Sequence, residues 1–510
     1  MRIATNSIQF ASVYLVCAIA AGSALAGDWP MWGHDPSRNM VSAEKGLPIS
    51  ADPGKAKDDG SPVDMATTKN VKWIAKLGSA SYGNATVADG RVYVGTNNAS
   101  PRDKKYQGDY GILMCLDEKT GNLLWQLAVP KLLSGKVNDW EEVGICSSPA
   151  VDGDHVYLVT SRCEAICLDV HGQAGGKNRG PFVDEAQYTA GPGKPPIAQG
   201  PTDADIIWRF DMREELGAFP HNQTSSSPLV VGDKVYITTS NGVDWTGKHI
   251  PAPHCPALIC LDKNTGKLLA EEHSGISSRT RVCNWSSPAY GTIGGKPTIV
   301  FGAGDGYCYG FDPQTLNQVW RFDCNPPERY TKNGKPQKYG LPDGPSDVLS
   351  TPVVLNGRIY ISIGQDPEQG DGSGAMNCFE PKDKTGDITQ TAKIWSNPHI
   401  GRSVSTAAVA DGLVYIAELS GLVHCLDAGD GHEYWNHDLE SHVWGSTLLA
   451  DGRIYVGNEN GQVVILAAGK EKKVIGTIDL KDAIYSTPIA ANGVLYVGTG
   501  VNLYALEGKK

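Results

Sequence analysis

Residues Ser405 to His437 read STAAVADGLVYIAELSGLVHCLDAGDGHEYWNH, and this stretch is the unit that the rest of the chain repeats. Four short runs of strand composition, Ser405–Ala410, Leu413–Glu418, Leu422–Leu426 and His432–His437, alternate with turn signals at Asp411-Gly412, Ser420-Gly421 and Asp427–Gly431. Asp-Gly between alternating apolar runs is a strong hairpin signal. The unit therefore predicts a four-stranded antiparallel meander.

The opening hairpin recurs eight times, with first strands expected near Asn84, Ser148, Ser227, Ser287, Ser350, Ser405, Ser446 and Ser486. Turn glycines recur at Gly90, Gly153, Gly232, Gly357, Gly412, Gly452 and Gly493, and Gly294-Gly295 stands in for the fourth. A period of about 40 residues with four strands per repeat indicates a propeller. The expected fold is thus all-β, an eight-bladed β-propeller of four-stranded antiparallel blades. The last unit stops after its third strand, while Asn70–Leu77 (NVKWIAKL) is a strand with no blade before it. It is expected to pair beside Leu503–Leu506, which would close the ring and remove both sheet edges. The domain reading is residues 1–26 as a signal peptide, 27–69 as an extended segment and 70–510 as the propeller.

A second motif marks the third turn: LDEKTGNLLW at Leu116–Trp125, LDKNTGKLLA at Leu261–Ala270, FDPQTLNQVW at Phe311–Trp320 and LDAGDGHEYW at Leu426–Trp435. The tryptophans on the outer strands are Trp73, Trp125, Trp208, Trp320, Trp395 and Trp435, expected to be buried between blades. Two blades lack one, with Ala270 and the Gly476 region instead.

Lys and Arg number 45 against 56 Asp and Glu, a formal charge of −11, with no basic run. Nucleic acid and anionic membrane surfaces are not expected partners. Arg2, the apolar run Phe10–Ala21 and Ala24-Leu25-Ala26 together read as a cleavable secretory signal. The mature chain is expected to be exported, periplasmic or extracellular, with no later membrane-spanning run. Among the 12 cysteines, Cys115, Cys167, Cys260, Cys308, Cys378 and Cys425 are read as one repeat position, small and buried. Export permits disulfides, and a Cys146–Cys163 bridge is one expectation. No C-x-x-C-H haem site or zinc spacing occurs.

L-D-x-x-T-G-x-x-x-W around eight blades resembles the tryptophan-docking motif of pyrroloquinoline-quinone (PQQ) repeat propellers, over about residues 70–506. That superfamily includes quinoprotein alcohol dehydrogenases and non-enzymatic propellers such as the outer-membrane assembly lipoprotein. Trp29-Pro30-Met31-Trp32 and the pattern of inserts resemble exported bacterial PQQ-like propellers of unassigned activity. The resemblance to the dehydrogenases implies PQQ and calcium as cofactors. The chain lacks the adjacent cysteine pair those enzymes stack on the quinone, and no stretch matches their calcium motifs.

Meander topology sorts the loops. The loop entering strand one and the loop between strands two and three share one face; the Asp-Gly and Thr-Gly turns share the other. Most inserts fall on the first face, where function usually sits. So do Trp140, Trp245, Trp285 and Trp444, together with His221, Asn84, Asn222, Asn284, Arg402 and Tyr485. Acids in the same zone are Glu164, Asp244, Asp305, Asp366, Glu368, Glu418 and Glu459. Indole faces and one Arg there would serve a protein partner, a small molecule or a glycan; the same tryptophans could instead pack the long loops. The stretch from Gln365 to Gly372 alternates acids with Gly, making Asp366, Glu368 and Asp371 calcium candidates. Asp305 or Asp366 would be the base of a dehydrogenase.

Overall fold

The computed structural model describes residues 27–55, 63–368 and 372–508; the expected signal peptide lies outside them. Eight four-stranded antiparallel meanders succeed one another along the chain. Blade 1 comprises Thr86–Ala88, Arg91–Asn97, Tyr110–Asp117 and Leu123–Pro130. Blade 6, the unit with which the reading began, comprises Ala408–Ala410, Leu413–Ala417, Leu422–Asp427 and Glu433–Asp438. Blade 8 is built from both ends of the propeller. Val71–Lys76 pairs antiparallel with Asn502–Glu507, placing Val71 opposite Leu506 and Ala75 opposite Leu503. The ring closes as the sequence predicts.

First strands are shorter than expected, because the residues ahead of them do other work. The main-chain N–H of Asn84 donates to the Ser148 hydroxyl, Ser148 to Ser227, Ser227 to Ser287 and Ser287 to Thr351. Thr406 donates to Ser446, Ser446 to Thr487, and Thr487 to the Asn84 side-chain oxygen. These bonds run from 2.5 to 3.4 Å and join seven of the eight blade junctions. At the eighth, the Ser362 hydroxyl of blade 5 donates to the Ser405 carbonyl of blade 6 at 3.0 Å.

The six tryptophans are buried, each between 1 and 7% exposed. Five donate their indole N–H to a carbonyl in the third turn of the next blade. Trp73 reaches Glu118, Trp125 reaches Val170, Trp208 reaches Lys263, Trp395 reaches Ala428 and Trp435 reaches Gly469, at 2.8 to 3.1 Å. In four of the five, Trp73, Trp125, Trp208 and Trp395, the ring lies against the turn glycine. A Cβ at Gly121, Gly172, Gly266 or Gly431 would sit within 2.7 Å of the indole.

The two missing tryptophans follow from this contact. Blade 3 offers Ala270, and the facing turn of blade 4 carries Leu316 in the glycine position, with φ of 53° and no exposure. Leu316 packs in the same apolar cluster as Ala270. Blade 7 faces blade 8, whose third turn does not exist because its outer strand comes from the N-terminal side of the chain. There the segment Gly46–Ile49 covers the seam, its Ile49 carbonyl 2.7 Å from a Cβ built on Gly476. One detail of the sequence reading is corrected. Cys115, Cys167, Cys378 and Cys425 stand opposite the docking tryptophans and Cys260 opposite Ala270, but in blade 4 Gly310 holds that place opposite Trp320. Cys308 lies two residues earlier.

The segment from Gly27 to Ser42 crosses the Asp-Gly end of the central channel and bonds to all eight blades. Trp29 pairs with Val87 of blade 1, and the Pro30 carbonyl accepts from Val151 of blade 2. The Pro36, Ser37 and Met40 carbonyls accept from Tyr290, Val354 and Leu449 of blades 4, 5 and 7. Asn39 exchanges two bonds with Val409 of blade 6, and the Ser42 hydroxyl donates to Ala490 of blade 8. Arg38, fully buried, donates to the carbonyls of Ser227, Pro228 and Pro288 in blades 3 and 4, and to Trp32. Burial draws its pKa down to about 9, still leaving it charged at neutral pH.

Ala270→Trp alone is expected to cost about 1–3 kcal/mol by overpacking, and Leu316→Gly alone to lose a buried leucine. Combined, they rebuild the indole-on-glycine contact, so their coupling should recover at least about 0.5–3 kcal/mol. Urea melts in which the two costs simply add would refute the compensation. Arg38→Ala leaves four buried carbonyls without their charged donor and should cost about 3 kcal/mol or more. A loss under about 1 kcal/mol would mean the segment merely rests on the ring.

Candidate channel-mouth site

Above the N-terminal segment the channel holds a pocket of about 140 Å³. Its floor is Trp32, whose indole N–H donates to the Thr351 hydroxyl at 3.2 Å. Its waist is the hydroxyl belt, and its rim includes Tyr82, Cys146, Leu349, Val404, Trp444 and Tyr485. Tyr82 and Tyr485 pack with centroids 4.9 Å apart and rings tilted by 32°, and Trp444 meets Tyr485 edge-on at 6.5 Å. The Trp444 indole donates to Glu459. Burial pushes the Tyr82 hydroxyl and the Cys146 thiol up to about 12, so both are neutral at physiological pH.

The other half of this face is covered. The insert before blade 2 forms a short helix, Lys136–Asp139. Lys136 lies over the Trp140 ring at 3.9 Å and donates to Glu368 of blade 5 at 2.8 Å. Asn222 of blade 3 approaches the same carboxylate at 3.5 Å, and its carbonyl accepts from Trp140 N–H. Inserts of blades 2, 3 and 5 thereby meet across the mouth. Trp285 is part of this cover: its N–H donates to the carbonyls of Gln223 and His221, and its ring packs beside Leu349, Tyr339 and Val404. Arg402 lies against Gly364, its carbonyl accepting from Leu419.

Several expected site residues have other roles. Trp245 is 82% exposed and stands away from the channel pocket, because its loop projects outward. Asn284 is fully buried, holding Asn241, Thr280 and Gly304. Asp305 is fully engaged, accepting from Tyr309, Arg279 and Tyr307 N–H. Glu164 ties Arg209, Tyr188 and Thr160, and Glu418 ties His424, Ser420 and Gly401 N–H. Cys146 and Cys163 are free thiols. The Cys163 sulfur faces the Thr239 carbonyl and that of Cys146 the Gly144 carbonyl, so the expected bridge is not formed. Among the described residues no three His, Cys, Asp or Glu side chains converge as a metal site. Of the three calcium candidates Asp366 and Glu368 are among the described residues, and Asp371 lies outside them.

Under the cover sits a group of buried atoms without partners. His221 Nδ1 donates to the Val243 carbonyl at 2.8 Å, which leaves Nε2 a bare acceptor. Asp366 is 1% exposed; Oδ1 accepts from Glu368 N–H while Oδ2 has no partner. Asp347, missed in the sequence, is fully buried, with the Tyr339 hydroxyl and Arg281 as its polar neighbours. Burial raises both carboxyls, Asp347 well above the ordinary range despite the pull of Arg281. No motif flags Asp347, which sits between a polar insert and a first strand.

Repeat and ring together make the chain a PQQ-repeat eight-bladed propeller. A family model described as outer membrane protein assembly factor BamB matches residues 63–173 and 384–509. BamB of Escherichia coli (strain K12) is 38% identical over 69 residues, 12% of this chain and 18% of that protein. The Yersinia pestis protein of that name is 25% identical over 227 residues, 41% of this chain and 52% of that one. The chain thus spans about half or less of the length of these relatives. The crystal structure of BamB from Moraxella catarrhalis superposes with TM-score 0.55 at 15% identity, covering 86% of this chain and 99% of the other. A europium-containing methanol dehydrogenase gives 0.50 at 14%, covering 93% and 89%. Likenesses this distant speak for the fold alone.

His424 of blade 6 bonds Glu418 at 2.9 Å and Glu433 at 2.6 Å. Burial lowers its pKa, but the two carboxylates outweigh burial and the net shift is upward. A raised folded pKa means this stabilisation is complete below the unfolded value of about 6.5 and fades as pH rises through the folded pKa. His424→Gln should remove that slope from stability measured across pH 6–9. An unchanged slope would refute the imidazolium bridge.

Proposed function

We propose that the protein is an exported binding propeller that engages a ligand or protein partner through the face bearing the strand-one entry loops and the strand two–three loops. One observation carries the reading: the N-terminal segment closes the opposite end of the channel, so its pocket opens on this face only. The elaborated loops, Trp140, Trp285 and Trp444 lie on the same side. Relatives named as assembly factors support a protein partner, and their outer-membrane association supports export. The dehydrogenase alternative needs calcium donors and a quinone site, and the chain lacks the adjacent cysteine pair and the calcium motifs that go with them in the dehydrogenases it resembles.

The test compares two faces of one mature chain. A partner or ligand recovered from the cell envelope should be lost with the double variant Trp444→Ala, Tyr485→Ala, and kept with Lys296→Glu on the opposite face. Equal retention by both variants, or loss with Lys296→Glu alone, would overturn the assignment.

A further inference from the structure

The channel pocket has a chemistry that narrows its ligand. Its waist presents a hydroxyl from each of seven blades, and the eighth supplies Asn84. Six of those hydroxyl oxygens accept a main-chain N–H from the neighbouring blade, and two of the six accept a second bond, Ser148 from the Asn84 side-chain amide and Thr351 from the Trp32 indole. None of the seven donates its own O–H to another described atom. Thr406 accepts nothing either, and its hydroxyl simply faces the cavity. The ring therefore offers seven hydroxyl donors, free lone pairs on all of them but Ser148 and Thr351, and no charge.

No lysine, arginine or carboxylate lines the pocket. Glu459 stands beside Trp444 at the rim, which disfavours an anion. Aromatic rings supply the rest: an indole floor, and Tyr82, Tyr485 and Trp444 on the open side. A hydroxyl belt under aromatic walls in a blind cavity matches a molecule whose edge is hydroxyl groups and whose faces are C–H. Resting on the binding-face reading above, we propose that the pocket takes a neutral polyhydroxylated ring, the terminal unit of a sugar. At about 30 Å³ per water, the cavity holds about five waters. A sugar edge reproduces their hydrogen bonds as it displaces them, so that exchange need not lose affinity.

The experiment titrates the mature chain calorimetrically with glucose, galactose, N-acetylglucosamine and myo-inositol. Acetate, sulfate and tetramethylammonium serve as contrasts, and fluorescence of Trp32 and Trp444 is followed. At least one neutral ring should bind and change the indole signal. Thr406→Val removes a hydroxyl that takes part in no belt bond. It should weaken binding about 3–10-fold, the worth of one neutral hydrogen bond, with the melting temperature unchanged. Tyr485→Ala should weaken it as well. The proposal is overturned if no neutral ring binds and the channel holds water only. It is equally overturned if an anion or the ammonium binds in preference, or if Thr406→Val leaves affinity intact. An envelope partner lost with the Trp444, Tyr485 double variant while every sugar is silent would leave the binding-face reading standing and remove this one.

Discussion

Seven of the eight blades begin with a main-chain N–H that points sideways, out of its own hydrogen-bond ladder and into the wall of the channel. Buried and unpaired, such a group costs about 1–3 kcal/mol, and seven of them would rival the net stability of a domain. The hydroxyl of the next blade accepts it at six junctions, and the Asn84 side-chain oxygen at the seventh. The last of these bonds joins Thr487 to Asn84, 403 residues apart, so it forms only when the ring is complete. A blade on its own would leave that N–H to water. Closure is thus tied to a bond that no single blade can make.

Outside the belt, the blades are held by indole rings resting on glycine. Gly is required at the turn because a Cβ there would occupy the ring's space. Four seams are built this way, and at the two blades without a tryptophan the partner surface changes. Leu316 fills the seam beside Ala270 from the opposite side, and the Gly46–Ile49 stretch fills the seam beside Gly476. The docking residue of one blade is therefore set by the turn of the next, and a defect at one position is matched by a change a blade away.

Much of this architecture was legible in the sequence because it is periodic. Asp-Gly turns, alternating apolar runs and the recurring Trp each repeat, and the pairing of Val71–Lys76 with Asn502–Glu507 followed from counting strands. What has no period stayed hidden. The Gly27–Ser42 segment carries no strand pattern, since its bonds are spread, one or two at a time, over eight different blades. The belt residues were visible as Ser and Thr but read as strand starts, because sequence does not say which way an N–H points. Ala270 and Leu316 were both visible departures, yet their link runs between blades. The face of the meander identified which loops share a side and nothing about how far each projects; Trp444 reached the channel and Trp245 did not. His221 and Asp366 belong to different blades, so only the fold brings them under one cover.

That cover divides the mouth into two unlike halves. Over blades 2 to 5 the inserts are joined by Lys136, Glu368 and Asn222. Buried beneath are His221 Nε2 and Asp366 Oδ2, neither with a partner, and the Asp347 carboxyl beside Tyr339. Keeping two carboxyls buried there is tolerable only if they hold their protons, which the upward shift of both allows. Over blades 7 and 8 the loops are short, and Trp444, Tyr485 and Tyr82 stand at the edge of the channel. The two halves cannot serve the same purpose. The covered half fixes the inserts relative to one another across the ring. The open half leads through aromatic rings to uncharged hydroxyls and stops at Trp32, so a ligand entering the channel must come from blades 7, 8 and 1.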